Sequence, residues 1–459
     1  MKQVEGACFG STRRGMLTRA SALGAVGALG AACGGEPQAG APPASRSTLQ
    51  PASLVVLHNT NPASGQAVTE RVAEYQRAFP QIKVDYNVIP GAAYADKLQT
   101  AVASGAPLDL FWQGGWTIFS AITRGLAGEL EPLMARDKWD KSDWYEAALD
   151  IYRWQNRLFG LPWDFGYRML FHNKAIFEQS GLPQPPGEWK APGWTFDDLA
   201  ALTRQLQKTE SDQVTQAGLV GMNDIQNVSA FAYANGGRWV SEDHSRLLAD
   251  QPEMIEGLQF AQDLIYKHRG AATAAQEQAL PRAFENGKAA LSVTATLIGV
   301  AQYRPVKDLR WDAAPIARGP KSKPGERKTF GGGSGWFMYK HTKAKDQTWH
   351  LLQHLTSKEI LTILAEGGVP PPRKSVAAGP AWLGSSLLPA SKKIMNDGAA
   401  EVISFPKLTN GADFLARMQE GLRPLLANTA PATQVVAELK RVLEPLMQQH
   451  REEVAKVKL

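Results

Sequence analysis

Short apolar runs alternate with longer amphipathic stretches in the region that begins at residue 53. Residues 53–57 and 109–112 are of strand length and are apolar after their first residue, and residues 82–88 alternate between apolar and polar positions as a half-buried strand does. Between these runs, residues 68–79 and 94–104 carry apolar side chains at helical spacing. The order strand, helix, strand, helix, strand predicts a parallel sheet wound with helices.

Polar and aromatic residues follow the predicted strands of this first region. Ligands of wound sheets bind at the edge formed by the carboxyl ends of the strands. The residues at this edge are His58, Asn59, Gln113, Gly114 and Trp116. Among these, Asn59, Gln113 and Trp116 are candidate ligand-binding residues.

Residues 158–174 mark the passage from the first region into a second one. Gly160 and Pro162 lead into Trp163 and Asp164, and a buried strand is predicted over 168–171, where an apolar run follows Arg168. Small ligands are often enclosed between domains, so a ring and a carboxylate at this passage favour a binding site. The alternative interpretation is an ordinary turn before a core strand.

The second region again mixes helices and strands. Thr195 is predicted to be the N-cap of a helix, because apolar residues at helical spacing follow it. Further helices are predicted over 252–268, 346–357 and 431–456, and strands over 218–221 and 291–296.

A glycine-rich loop interrupted by Ser334 occupies residues 331–335. It lacks the Lys-Ser/Thr pair of a P-loop and the spacing of a dinucleotide fingerprint. Glycine in this loop therefore favours a hinge or a close approach of the backbone to a ligand.

Length and charge restrict the class of protein. The 459 residues are too many for one core and predict two domains. The net charge of +6 is partly contributed by basic residues before residue 33, and no long basic run follows, so nucleic acid binding is not expected. No stretch of about twenty apolar residues follows residue 33, so no membrane span is predicted.

The first 32 residues have the features of an export signal. Ser11 to Leu17 includes the pair Arg13-Arg14 and resembles a twin-arginine signal, and a weakly hydrophobic run follows it. This run ends at Cys33, which resembles the lipid-modified residue of a bacterial lipoprotein, although Gly30 stands where that class has an aliphatic residue. A soluble exported protein is the alternative. Residues 33–52 are rich in Pro, Ala, Gly and Ser and are predicted to be a flexible tether.

A specific resemblance emerges from eight short segments that occur in a consistent order. The chain resembles extracellular solute-binding proteins that supply ABC sugar importers, such as the maltodextrin-binding proteins. The segments lie at 79–84, 94–101, 105–110, 158–164 with 172–174, 235–239, 283–290, 330–335 and 364–370.

The resemblance implies an α/β, two-lobed periplasmic-binding-protein fold. Each lobe would be a wound sheet with flanking helices, and the ligand cleft would lie between the lobes. Three segments would cross between the lobes, near Asp164, near Thr296 and at the glycine loop. On this basis lobe 1 is assigned to residues 53–165 and 296–333, and lobe 2 to residues 166–295 and 334–459.

The candidate ligand-binding residues are those whose side chains match the chemistry of a sugar. A sugar ring has an apolar face, which suits a flat aromatic side chain, and a rim of hydroxyls, which suits carboxylate, amide and guanidinium groups. Among 13 tryptophans, Trp163 and Trp336 are expected to face the ligand, Trp116 and Trp239 could either face it or pack in the core, and Trp112 is expected to pack in the core. Asp164, Ser334 and Arg373 complete the set, with a structural salt bridge as the alternative role of Arg373.

The resemblance implies capture of a sugar or oligosaccharide outside the cell and its delivery to a membrane permease powered by a cytoplasmic ATPase. No cofactor or metal is implied, catalysis is not expected, and a monomer attached to the extracytoplasmic face of the membrane through Cys33 is expected. A binder of another polar solute, such as a glycerophosphodiester, is the first alternative. A surface-anchored carbohydrate-active enzyme is the second, because paired carboxylates can meet in any cleft.

Overall fold

The structure is a computed structural model that describes residues 49–59, 62–384 and 389–457. The predicted signal peptide, the lipidation site Cys33 and most of the predicted tether lie outside these residues. The strands are β1 (Ala52–His58), β2 (Ile82–Val88), β3 (Leu110–Gly114), β4 (Arg153–Trp154), β5 (Arg157–Leu158), β6 (Gly160–Pro162), β7 (Gly166–Asn173), β8 (Lys208–Glu210), β9 (Gln213–Val220), β10 (Ala289–Ala295), β11 (Trp311–Ala314), β12 (Thr329–Gly332), β13 (Ser334–Met338) and β14 (Val402–Ser404).

Helices surround these strands. They are α1 (Pro62–Ala78), α2 (Ala93–Ser104), α3 (Ile118–Thr123), α4 (Glu131–Arg136), α5 (Glu146–Asp150), α6 (Lys174–Ser180), α7 (Phe196–Leu206), α8 (Ile225–Ala234), α9 (Pro252–Tyr266), α10 (Ala274–Ala279), α11 (Thr296–Tyr303), α12 (Lys345–Leu355), α13 (Lys358–Glu366), α14 (Lys374–Ala377), α15 (Pro380–Leu383), α16 (Lys392–Gly398), α17 (Gly411–Gly421), α18 (Arg423–Leu426) and α19 (Ala432–Lys456).

The first lobe is built on a five-stranded sheet with the order β2-β1-β3-β13-β6. Strand β1 pairs in parallel with β2 and β3, as the alternation of strands and helices predicts. Strand β13 pairs antiparallel with both β3 and β6. Leu54, Val56, Leu110 and Phe111 are almost completely buried because both faces of the sheet are covered by helices.

The second lobe is built on a sheet with the order β14-β12-β7-β10-β9-β8, and β11 also pairs with β7. Strands β9 and β10 are parallel, whereas β7 is antiparallel to β10. The C-terminal helix α19 packs on α9 and α17 in this lobe. The apolar spacing that predicts a core-facing helix near the C-terminus thus corresponds to the buried residues Val435, Leu439 and Leu443 of α19.

The chain passes between the sheets at two short strand-to-strand connections. Trp163, Asp164 and Phe165 join β6 of the first sheet to β7 of the second, and Gly333 alone joins β12 of the second sheet to β13 of the first. The chain reaches the second sheet again at β14.

The sheet pairing corrects part of the expected division into lobes. Residues 296–333, which were assigned to lobe 1, include β11 and β12 of the second sheet. Residues 334–338, which were assigned to lobe 2, form β13, which lies between β3 and β6 in the first sheet. The difference arises because the segment after β10 does not return to the first sheet but forms α11, which packs on β7 and β10. In the part of the chain that the structure describes, no helix is long and apolar enough to cross a membrane.

Candidate ligand-binding site

A cavity of about 670 Å³ lies where the first sheet faces α11. From the first lobe it is lined by the carboxyl end of β1, by β3, by the connection between β6 and β7 and by the start of β13. The opposite wall is formed by α11 and by the end of α13 with the loop after it. The lining residues are His58, Asn59, Trp112, Trp163, Asp164, Leu297, Val300, Ala301, Arg304, Pro305, Ser334, Leu364, Gly367, Gly368 and Val369.

Asp164 and Ser334 fasten the two strand-to-strand connections to each other. The Ser334 backbone N–H donates to Oδ1 of Asp164 at 2.9 Å, and the Ser334 hydroxyl donates to Oδ2. In return the Ser334 carbonyl accepts from the backbone N–H of Trp163 at 2.8 Å. Burial raises the pKa of Asp164 to about 6, although the hydrogen bonds from Ser334 act in the opposite direction.

The two connections lie so close together that residue 333 has to be glycine. A Cβ atom on Gly333 would lie 2.4 Å from the carbonyl oxygen of Asp164 and 3.2 Å from its Oδ1. Any side chain here would therefore push the two connections apart. This explains the glycine that follows β12, which the sequence suggested only as a hinge or a close approach.

Trp163 lies over a cluster of aromatic side chains from the first lobe. Its ring meets Trp336 edge-on at 5.7 Å between centroids and His58 at 5.8 Å. His58 and Trp336 are themselves 4.6 Å apart. Burial lowers the pKa of His58 to about 3, so the imidazole is neutral at physiological pH, and its Nδ1 is hydrogen-bonded to the Tyr86 hydroxyl.

The opposite wall contributes residues that the sequence analysis did not single out. Leu297, Val300 and Ala301 of α11 line the cavity, and Arg304 follows directly after the helix. The Arg304 guanidinium donates to the carbonyl of Gly367. The sequence held one indication of this wall, because α11 directly follows a predicted buried strand near an expected crossing between the lobes. Aliphatic residues at such a position are, however, equally typical of an ordinary core.

Four of the sequence-predicted residues come together in this cavity, namely Asn59, Trp163, Asp164 and Ser334. The side chain of Asn59 also accepts a hydrogen bond from the backbone N–H of Gly91 at 3.0 Å, which fixes the amide at the cavity edge. Trp336 is fully buried one layer below, where it supports Trp163 and His58 instead of lining the cavity.

The remaining predicted residues lie elsewhere. Arg373 forms an ion pair with Asp143 at 3.2 Å and stacks on Trp144 with 4.3 Å to the ring centroid, which is the structural alternative considered for it. Trp239 is fully buried in the second lobe and donates to the Ser229 hydroxyl. Gln113 accepts from the Thr117 hydroxyl at 2.7 Å, and Trp116 packs against the second lobe.

The chemistry of the cavity suits a polar ligand with apolar faces. It combines two indole rings, a carboxylate, a hydroxyl and a guanidinium with aliphatic side chains, which is the mixture found in small-molecule sites. The second indole is that of Trp112, which was expected to pack in the core but lines the cavity. Asp164 is the one carboxylate among the described residues of the lining, whereas glycosidases use a pair flanking the bond. No cluster of His, Cys, Asp and Glu with the arrangement of a metal site occurs in the described residues.

Comparison with known proteins agrees with this architecture. Residues 59–361, more than half of the chain, match the family of bacterial extracellular solute-binding proteins. The chain belongs to this family. It is accordingly a solute-binding protein of the extracytoplasmic space, and its family consists of binding proteins.

Individual relatives of this solute-binding protein are distant. A protein of Brucella abortus (strain 2308) that is named as a binding protein is 25% identical over 329 residues, which are 67% of this chain and 76% of the relative. The maltotriose-binding protein of Pyrococcus abyssi is 23% identical over 317 residues, 68% of this chain and 64% of that protein. Among solved structures, the sugar-binding protein MalE of Xanthomonas citri has a TM-score of 0.75 at 21% identity and covers 88% of this chain and 100% of that chain. The two-lobed fold is therefore shared.

Proposed function

We propose that this solute-binding protein captures a sugar or oligosaccharide in the cavity between its lobes and delivers it to the permease of an ABC importer. The observation that carries the proposal is the position of Trp163, Asp164 and Ser334. They line the cavity at the two points where the chain passes between the sheets. The name of the maltotriose-binding relative supports a sugar as the class of ligand.

Each lining residue has a role that follows from its chemistry. Trp163 offers a flat ring to the apolar face of a sugar, and its edge-on contacts with Trp336 and His58 hold that ring in place. Asp164 and Ser334 would accept hydrogen bonds from hydroxyls, and Asn59 would add an amide at the edge. Leu297 and Val300 would close over the opposite side of the ligand.

Ligand binding would be coupled to movement of the lobes. A ligand that contacts the first lobe and α11 together binds better when these surfaces are close, so it favours the closed form. The connections at Asp164 and Gly333 are the short segments about which such a movement would occur. The closed, loaded form would be the one that the permease recognises.

The leader supports a finer proposal about location. Arg13-Arg14 and the sequence around Cys33 are consistent with export and lipidation, which would hold the protein at the extracytoplasmic face of the membrane as a monomer. Replacing Cys33 with Ser should move the protein from the membrane fraction to the soluble fraction.

Arg304 gives a specific reason to keep a phosphorylated solute as the second candidate. Its guanidinium brings a positive charge to the cavity wall, and arginine binds phosphate oxygens well. A glycerophosphodiester would use this charge, whereas an uncharged sugar would need only its hydrogen-bond donors.

A thermal-shift screen of the purified protein tests the two candidates directly. Monosaccharides, oligosaccharides and phosphorylated polyols would be compared, because a ligand of the folded state raises the melting temperature with concentration. A rise with one sugar series, and recovery of the sugar unchanged, supports the proposal. Shifts only with phosphorylated polyols, abolished in Arg304→Gln, would replace it with the second candidate.

A further inference from the structure

Trp116 comes from the first lobe but packs inside the second. It lies in a short turn directly after β3, and only 6% of its surface is exposed. Its ring contacts three phenylalanines of the second lobe, at 5.3 Å from Phe405 and 6.1 Å from both Phe330 and Phe414. Phe414 is nearly parallel to the indole, with 20° between the planes.

The backbone at this contact is as close as the side chains. A Cβ atom on Gly411, the first residue of α17, would lie 2.5 Å from the carbonyl oxygen of Trp116. The turn that carries Trp116 begins at Gly115, which has a φ of 59°. Glycine on both sides thus allows the turn to reach α17.

Polar groups of the second lobe lie beside Trp116 and beside its neighbour Phe330. Its Nε1 is 3.5 Å from Oε1 of Gln226 near the start of α8. Arg168 lies over the Phe330 ring at 6.0 Å from its centroid and is 96% buried, since its exposed fraction is 4%. Arg168 also pairs with Asp224 at 3.9 Å. Aromatic faces with an amide, a guanidinium and a carboxylate at the rim are the surroundings that suit a sugar ring.

Trp116 lies at the same edge of the first sheet as the cavity. Strands β1 and β3 are neighbours, and their carboxyl ends lie at one edge of the first sheet. At β1 this edge opens into the 670 Å³ cavity through His58 and Asn59, whereas at the end of β3 Trp116 occupies the space between the lobes.

We propose that Trp116 closes one end of the ligand cleft and thereby limits the length of the ligand that the protein accepts. The inference rests on the proposed function, because it concerns the same ligand. Trp116 acts as a specificity-determining residue, and its ring takes the position that the next sugar unit of a longer oligosaccharide would need. Its contact with α17 also limits how far the two lobes separate in the absence of ligand.

The test uses Trp116→Ala in the full chain, with two matched variants. Trp116→Phe keeps an aromatic ring against Phe414, and Trp139→Ala removes a tryptophan that packs on Trp144 and Trp349 within the first lobe. Calorimetric titration with maltose, maltotriose and the longer linear maltodextrins gives the ratio of dissociation constants for short and long sugars. We expect Trp116→Ala to shift this ratio by about tenfold towards the longer sugars, and both other variants to retain the parent ratio.

A measurement without ligand separates this inference from the proposed function. Small-angle X-ray scattering should give a larger radius of gyration for Trp116→Ala than for the parent, Trp116→Phe and Trp139→Ala. A folded Trp116→Ala protein with the parent radius overturns the inference, and so does an unchanged length preference. If the parent binds neither these maltodextrins nor any sugar of the thermal-shift screen, the proposed function is wrong, and the radius alone then decides whether Trp116 limits the separation of the lobes.

Discussion

At the scale of single residues, Trp163 carries the apolar part of the proposed recognition. Its ring is fixed edge-on between Trp336 and His58, so little conformational freedom is lost when a sugar stacks on it. We expect Trp163→Leu to weaken sugar binding by about tenfold, because leucine keeps an apolar side chain but not the flat ring. Calorimetric titration measures this effect.

The control for this prediction is Trp139→Leu, a change at a tryptophan in the same lobe but outside the cavity lining. It should bind the ligand as the parent does. Equal affinities of Trp163→Leu and the parent would show that Trp163 does not contact the ligand.

Asp164 should make stability depend on pH. Its pKa of about 6 in the folded protein lies above the unfolded value of 3.8, because burial disfavours the ionised form. Its stabilising contribution is therefore complete below pH 3.8 and is lost as the pH rises through 6. The shift corresponds to about 3 kcal/mol.

The neutral variant Asp164→Asn isolates this contribution. Urea denaturation between pH 4 and pH 8 should show the free energy of unfolding of the parent falling relative to the variant as the pH increases. A constant difference across this range would mean that Asp164 has an ordinary pKa. Ligand hydroxyls that donate to the carboxylate favour its ionised form, so affinity should increase over the same range.

Sequence reasoning, aided by the resemblance, selected Trp163, Asp164 and Ser334 because they stand at predicted passages between the two regions, and all three line the cavity. It could not separate Trp163 from Trp336. Both are tryptophans in or beside strands, and only the pairing of β13 with β3 and β6 shows that Trp336 lies below the surface of the cavity. The partner of Arg373, Asp143, is distant in the sequence and was likewise not predictable.

At the scale of elements, the sequence predicted the helix cap and the order of strands and helices in the first region, because both depend on residues that are close together in the chain. Thr195 is the N-cap of α7 as expected, and its side chain and that of Asp198 form a reciprocal capping box. The alternation of strands and helices in the first region also corresponds to β1, α1, β2, α2 and β3. Sheet membership of β12 and β13 was not predictable in this way, because it depends on long-range pairing across a single glycine.

That single glycine leads to a prediction about the connection between β12 and β13. Gly333→Ala places a methyl group 2.4 Å from the Asp164 carbonyl oxygen, so the two connections must separate. We expect a loss of about 1–3 kcal/mol in the free energy of unfolding and weaker ligand binding. Urea denaturation and titration measure the two effects.

Gly187→Ala is the matched control for this change. Gly187 is exposed, and the nearest atom to an added Cβ is the Ser391 hydroxyl at 3.6 Å, an ordinary contact. It should be close to neutral. If Gly333→Ala is equally neutral, the connection is less restricted than the distances indicate.

At the scale of the whole molecule, the two lobes are connected by two chemically different kinds of contact. Asp164 and Ser334 connect them by hydrogen bonds at the chain crossings, and Trp116 connects them by aromatic packing against α17. The cavity lies between these contacts and α11, so a ligand there adds a third link between the lobes. Ligand binding, lobe closure and stability are therefore expected to change together.

This coupling can be measured on the intact protein. Saturation with its sugar should decrease the radius of gyration and raise the melting temperature, and at a ligand concentration 100 times the dissociation constant the stabilisation should be about 2.7 kcal/mol. In Trp163→Leu both changes should require a higher ligand concentration by the same factor, because both depend on occupancy of one cavity. A rise in melting temperature without a change in radius would show that the ligand binds within one lobe, and would exclude closure as the mechanism of capture.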